Sequence, residues 1–281
     1  MGRELYITSS GIYDGRTDPL GSDVSYIEIR ADATVQYYKV IAGAPYYEGI
    51  YVSHALPTIK NCYIGCPSEN PDGYVFGIEF YRAGGLIENC IIEVGAFGFA
   101  IQADGYDSLS IKGCNIISTV APCALIQVFG GMVVDIDHSI LDWVSPAWYA
   151  VMNVWASFHM SHCLVTHTPA EGEYWWCDQF WPDNSFDTIV GNPQWTSSEA
   201  WASKSLSSIF PNGYFLGTGS AARDAGDPDT TYAGTTSINL SADQKPRDIG
   251  FHYPFSLGYM NLTVTPLLFG PLRDLWIGGK S

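Results

Sequence analysis

Positive charge is what this chain lacks most. Its 281 residues carry 13 Lys and Arg against 29 Asp and Glu, a formal net charge of −16. Nucleic-acid backbones and anionic lipid surfaces are held by clustered cations, so neither is expected as a partner. Charge of either sign is scarce, at 15% of residues, where ordinary domains carry about 25%. Ala/Glu/Lys/Leu-rich helical stretches are missing. No apolar run approaches the roughly 20 residues that span a bilayer, and the apolar tail is cut by Pro266 and Pro271. The opening "MGRELYITSS" has no apolar core behind its Arg, so no signal peptide is read there. Cysteine is present but unpatterned for metal: seven residues, an odd number, with no paired Cys-x-x-Cys. A disulfide scaffold and a structural zinc site are therefore not expected.

What is present is glycine (29), tyrosine (18) and a repeated phrase. "TIKNCYI" at 58–64, "LIENCII" at 86–92, "SIKGCNI" at 110–116, "VDIDHSIL" at 134–141 and "HMSHCLV" at 159–165 align on Cys62, Cys90, Cys114, Ser139 and Cys163. The intervals are 28, 24, 25 and 24 residues. Periods of this size mark solenoids, and the Leu-x-x-Leu-x-Leu signature of leucine-rich repeats is missing. Before each aligned residue stands Asn61, Asn89, Gly113, His138 or His162. Gly and Asn tolerate positive φ best, and His more than most, so a sharp corner between two short strands is expected there. A second phrase keeps the same period: "GIYV", "GIEF", "AIQA", "LIQV" and "VMNV", aligned on Ile50, Ile78, Ile101, Ile126 and Met152. Two phrases in one period predict an all-β single-stranded parallel β-helix with capped ends. Its core would hold a column of Cys62, Cys90, Cys114, Ser139 and Cys163, the cysteines as free thiols ~4.8 Å apart from coil to coil.

The coils resemble those of right-handed parallel β-helix proteins of the pectate-lyase-like superfamily. The stretches "GNPQW" 191–195, "YFLGTGSAARDAGDP" 214–228 and "KPRDIGFHYP" 245–254 are similar to the closing segment of bacterial extracellular β-helix proteins, with Ala222 and Arg223 departing from the usual pattern. The resemblance covers about residues 49–254 and implies a right-handed coil and an extracellular, cell-surface or virion setting. Residues 1–48 read as N-terminal strands and cap, 49–254 as the coils with Trp-rich lateral loops, and 255–281 as a C-terminal cap or subunit contact. Leu267, Leu268, Phe269, Leu272, Trp276 and Ile277 are the interface candidates, because so apolar a tail is costly to leave in water.

In enzymes of this resemblance, polysaccharide lies along the outside of one sheet. The outward row of the second strand set would run Tyr51, Glu79, Gln102, Gln127 and Asn153, with Asp178 in the next coil. Amides hydrogen-bond sugar hydroxyls well, and Trp175, Trp176 and Trp181 offer flat platforms for sugar rings. Gln102, Gln127, Asn153, Trp175, Trp176, Asp178 and Trp181 are thus the glycan-binding candidates. Glu79 and Asp178 lie four coils apart, ~19 Å by the strand spacing, beyond the ~5–10 Å of a glycosidase carboxyl pair. The remaining catalytic candidates are Arg82, Glu79, Asp104 and Asp107. No cofactor is expected. Ca²⁺ is the one cation considered, at loop acids such as Asp104 with Asp107 or Asp135 with Asp137. His138, His159, His162 and His167 are read as structural and no metal centre is assigned. No catalytic constellation is complete. The expected function is a non-catalytic surface or assembly protein, self-associating and glycan-contacting. The alternatives are a polysaccharide lyase or hydrolase and a carbohydrate-binding module.

Overall fold

A computed structural model describes residues 2–43, 45–67, 74–95, 97–119, 125–143, 151–154, 156–166, 185–186, 188–226, 235–236, 240 and 248–254. The chain winds repeatedly through three parallel sheets. The first contains Glu4–Ile7, Tyr26–Ile29, Glu48–Ser53, Val75–Tyr81, Gly98–Asp104, Ile126–Phe129 and Val151–Val154. The second runs from Ile12–Asp14 through Thr34–Gln36, Thr58–Lys60, Gly85–Glu88, Ser108–Lys112, Val133–Asp137 and Ser157–Ser161 to Ser185–Phe186. The third runs from Asp23–Val24 through Lys39–Ile41, Tyr63–Cys66, Ile91–Val94, Asn115–Ser118, Ile140–Trp143 and Leu164–Val165 to Ile189–Val190. Seven coils each contribute one short strand to each sheet in turn, and an eighth adds described strands to the second and third, which makes a parallel β-solenoid. Stacking begins at Glu4, so the strands expected as a cap in residues 1–48 are themselves coils in register with those above.

Strand periodicity builds the core. Alternate residues point inward and meet their equivalents in the next coil: Val35, Ile59, Ile87, Ile111 and Ile136 in the second sheet, and Val40, Ile64, Ile92, Ile116 and Leu141 in the third. All ten are buried. Burying such side chains is worth roughly 1.5–3 kcal/mol each, and β-branched residues fit a pleated surface.

The corner between the second and third sheets is as the repeat predicts. Asn61, Asn89, Gly113, His138 and His162 have φ of 50°, 50°, 59°, 48° and 47°. Tyr37 adds a rung below them at φ 57°. A second corner, between the first and second sheets, places His54 (φ 54°), Arg82 (φ 49°) and Gly130 (φ 77°) in the left-handed region.

The residue after the Asn/His corner forms the expected interior column. Cys62, Cys90, Cys114, Ser139 and Cys163 are fully buried, and the four cysteines are free thiols. Each side chain donates to the carbonyl two residues before it: Lys60, Glu88, Lys112, Asp137 and Ser161, at 3.3, 3.4, 3.3, 2.9 and 3.1 Å. Burial pushes the Cys90 and Cys163 thiols well above their ordinary range and Cys66 up to about 12. The thiolate is the reactive form. Five of the seven cysteines are buried free thiols, so a thiol reagent should label at most two groups per native chain and at least five after denaturation. Rapid labelling of three or more in the native protein would refute the column.

The closing segment covers the third sheet. Trp195–Thr196 pairs antiparallel with Phe215–Leu216. Trp201, Leu206, Ile209, Phe210, Phe215, Phe251 and Tyr253 pack as one apolar cluster with Ile91 and Ile117 of that sheet. Phe215 and Tyr253 stack at 3.8 Å between centroids. Residues 250–252 then cross the coils along the corner as a strap. The Gly250 amide donates to the His138 carbonyl (2.8 Å), the Phe251 amide to Asn115 Oδ1 (2.9 Å) and the His252 amide to Asn89 Oδ1 (2.7 Å). Asn89 Nδ2 donates in turn to the His252 carbonyl (2.8 Å) and to Asn61 Oδ1 (2.7 Å).

Candidate functional site

Three outer faces result, and they differ in kind. The third sheet lies under the closing segment. The second carries a charge ladder in which Lys60, Glu88, Lys112 and Asp137 are successive Cα partners, so neighbouring coils alternate in sign. The first sheet presents a face of tyrosines, carboxyl groups and amides.

Register carries one outward row across six coils of that first sheet. Tyr6 pairs with Glu28, Glu28 with Tyr51, Tyr51 with Glu79, Glu79 with Gln102 and Gln102 with Gln127. The expected row is therefore present from Tyr51 to Gln127 and extends two coils further toward the N-terminus. It does not continue through Asn153. The ladder pairs Gln127 with Met152 and sets Asn153 opposite Val128, because the coil from Ile126 to Val151 keeps the 25-residue length of the coil before it. Asp178, Trp175, Trp176 and Trp181 lie outside the described residues, as do the tail residues Leu267, Leu268, Phe269, Leu272, Trp276 and Ile277.

Aromatic rings flank the row. Tyr26 and Tyr46 stack at 4.3 Å, Tyr74 and Phe97 at 4.8 Å, and Phe76 and Phe99 at 5.9 Å. Tyr6, Tyr74, Phe97 and Tyr81 remain 52%, 47%, 42% and 37% exposed, an unusual amount of ring surface left to solvent on one side of a fold. Trp143 and Trp201, by contrast, are buried, and Trp195 is half-buried with its Nε1 donating to Asp142 Oδ2 at 2.7 Å. These three tryptophans serve packing.

The carboxyl groups of this face are held unusually. Burial, reinforced by the charge of Glu79, pushes half-buried Glu48 up to about 7, and burial raises Glu79 as well. Glu48 therefore titrates near neutral pH, and in its protonated form it donates a hydrogen bond as well as accepting one. Glu28 is buried and ion-paired with Arg30. Among the described residues Gln102 Oε1 is buried without a hydrogen-bond partner, an acceptor in want of a donor.

Glu48 sets a pH signature. Its carboxyl is raised above the ordinary 4.5, so the stability it contributes is complete below pH 4.5 and is lost as pH rises through 7. Glu48→Gln should remove that loss. Between pH 4.5 and 8 the variant should hold about 1 kcal/mol more of its stability than the parent, a figure reduced for the solvent screening of a half-exposed group. Denaturant titrations of both proteins at the two pH values measure it, and parallel pH profiles would exclude the assignment.

The other candidates divide. Arg82 is a corner residue, exposed, with its guanidinium 5.3 Å from the Tyr81 ring centroid. Asp104 is exposed at the end of its strand, with Tyr81 and Phe129 as Cα partners, and Asp107 is exposed in the turn that follows. Asp135 pairs with His159 at 3.1 Å, while Asp137 faces His138 and His162. Glu48 is the site residue that sequence reasoning missed. It lies 31 residues before Glu79, and the coil register sets it opposite Phe76, three residues before Glu79 on the adjacent strand. Clefts of about 420 and 250 Å³ open over the third sheet, beside Arg3 and Lys39 and beside Tyr63 and Glu93, away from the aromatic face.

Comparison with known proteins adds no relative. No family model, no curated protein and no solved structure matches this chain. Among the described residues no helix is long and apolar enough to cross a membrane.

Proposed function

We propose that this chain is a non-catalytic surface or assembly component that contacts glycan along the outside of its first sheet. In the same reading it is a right-handed solenoid of the pectate-lyase-like kind, exposed on a cell, filament or virion, with the apolar C-terminal tail as its contact to neighbouring subunits. The observation that carries the glycan reading is the open row from Tyr6 to Gln127 with exposed rings beside it. Sugar rings stack their C–H faces on aromatic rings, and their hydroxyls pair with amides and carboxyls. One rung per ~4.8 Å suits an extended polymer better than a small molecule. A chain of net charge −16 repels polyanions, so the favoured ligand is a neutral polysaccharide.

Titration with neutral oligosaccharides of increasing length tests this. Affinity should rise with length until the row is filled, and Tyr51→Ala should weaken it about tenfold, the value of one stacked ring. Absence of any signal at millimolar ligand would remove the glycan reading. Sedimentation at micromolar concentration tests the assembly reading, for which a persistent monomer is the contrary result. The raised carboxyls of Glu48 and Glu79 on adjacent strands of the open face favour one second reading, glycoside hydrolysis. It predicts release of reducing ends that is abolished in Glu48→Gln, and intact polymer after prolonged incubation dismisses it.

A further inference from the structure

We propose that Asp137, His138 and His162 form a binding site for a divalent transition-metal ion, with Zn²⁺ the best match. The three residues come from two successive coils. Asp137 ends a strand of the second sheet, His138 occupies the left-handed corner directly after it, and His162 occupies the same corner one coil on. Their candidate ligand atoms all lie within 4.8 Å of one another.

The solenoid itself produces the convergence. Both corner residues have nearly the same φ, 48° and 47°, so their side chains leave the backbone in the same direction and the rings stack at 4.9 Å between centroids, 24° from parallel. Both Nδ1 atoms then face one carboxylate oxygen, Asp137 Oδ1, at 2.8 Å from His138 and 3.5 Å from His162. In a tetrahedral zinc site with bonds of about 2.0–2.2 Å, neighbouring ligand atoms stand roughly 3.3–3.5 Å apart. The two separations to Asp137 bracket that edge and the remaining one is within 4.8 Å, so a modest closing of the two stacked rings would admit an ion. Ser161 Oγ donates to the same oxygen at 2.8 Å, and the strap holds the His138 backbone through Gly250. Such supporting bonds fix the orientation of metal ligands.

The donor set selects the ion. Two imidazoles and one carboxylate suit Zn²⁺ and its transition-metal neighbours, whereas Ca²⁺ prefers six to eight oxygens. Among the described residues three ligands converge, and a tetrahedral ion takes its fourth from water or another donor. His138 is almost wholly enclosed, its side chain 3% exposed, while those of His162 and Asp137 are 18% and 31% exposed, so the approach is from their side. Binding replaces any proton on each Nδ1 by the metal and releases it to solvent.

The fold supplies a clean variant for the test. Asn61 and Asn89 occupy the same corner in earlier coils at φ 50°, so His162→Asn preserves the corner while removing a ligand. The full chain, stripped with chelator, should gain thermal stability on addition of Zn²⁺ and lose it again with EDTA. Co²⁺ should give the visible bands of a tetrahedral nitrogen–oxygen site. His162→Asn and Asp137→Asn should each weaken Zn²⁺ by at least about tenfold, since loss even of a supporting group costs 10–100-fold. If either variant fails to fold, one-to-one zinc stoichiometry and histidine-proton shifts in the parent protein decide. No zinc-dependent change in the parent would overturn the proposal, as would equal affinity in the folded variants or a cobalt–thiolate band pointing to cysteine instead.

Discussion

Asn89→Ala should destabilise the protein by about 4–5 kcal/mol. Asn89 is buried at a left-handed corner, φ 50°, and its side chain makes three hydrogen bonds, to Asn61, to the His252 carbonyl and from the His252 amide. Each such bond is worth about 1 kcal/mol net, with a further cost where a buried partner is left unpaired. Alanine at positive φ adds about 1–2 kcal/mol. Asn89→Gly separates the contributions, because glycine accepts the backbone angle and restores only that part. Chemical denaturation of the three proteins measures the series. A cost below 1 kcal/mol for Asn89→Ala would mean that the strap is not held by the corner.

Gly98→Ala should cost about 3 kcal/mol or more, through an unrelated cause. Gly98 is the Cα partner of Val75 where two strands of the first sheet meet. A Cβ there would sit 1.9 Å from the Val75 carbonyl oxygen and 2.6 Å from its nitrogen. Both are backbone atoms inside a ladder, so neither can rotate away, and overpacking of this kind forces the strands apart. Gly213 is the natural control, with nothing among the described residues within 4 Å of its would-be Cβ, and Gly213→Ala should leave stability nearly unchanged. Equal stability of the two variants would contradict the register at Val75.

Much of this architecture can be read from spacing alone, and the reason is visible at the corner. A left-handed φ admits few residue types, and a position beside the core admits only small side chains, so Asn-Cys, Gly-Cys and His-Ser recur at one period. The same logic fails in the first coils. Tyr38 stands 24 residues before Cys62, and its carbonyl accepts from Tyr63 just as that of Cys62 accepts from Ile91. Tyr38 therefore continues the column, but a large aromatic pair hides the phrase. At the other corner His54, Arg82 and Gly130 share a backbone conformation and no chemistry, which leaves nothing for the eye to align.

The proposed glycan face is half legible in the sequence. The run from Tyr51 to Gln127 follows from the period, because outward residues alternate with inward ones. Asn153 does not follow, since a single residue of slip exchanges the two sides of a strand. The Glu48–Glu79 pair and the triad of Asp137, His138 and His162 depend on which atoms of neighbouring coils approach one another, and spacing carries no such information.

The strap changes what kind of melting this molecule can undergo. A stack of coils joined only to adjacent coils behaves like beads on a line and can fray from an end one bead at a time. Here residues 250–252 reach from the coil of His138 to that of Asn89, like thread sewn through several pages at once. Pages bound in this way cannot be turned singly, so the middle of the rod should open as a block, and cutting the thread should restore its freedom to peel.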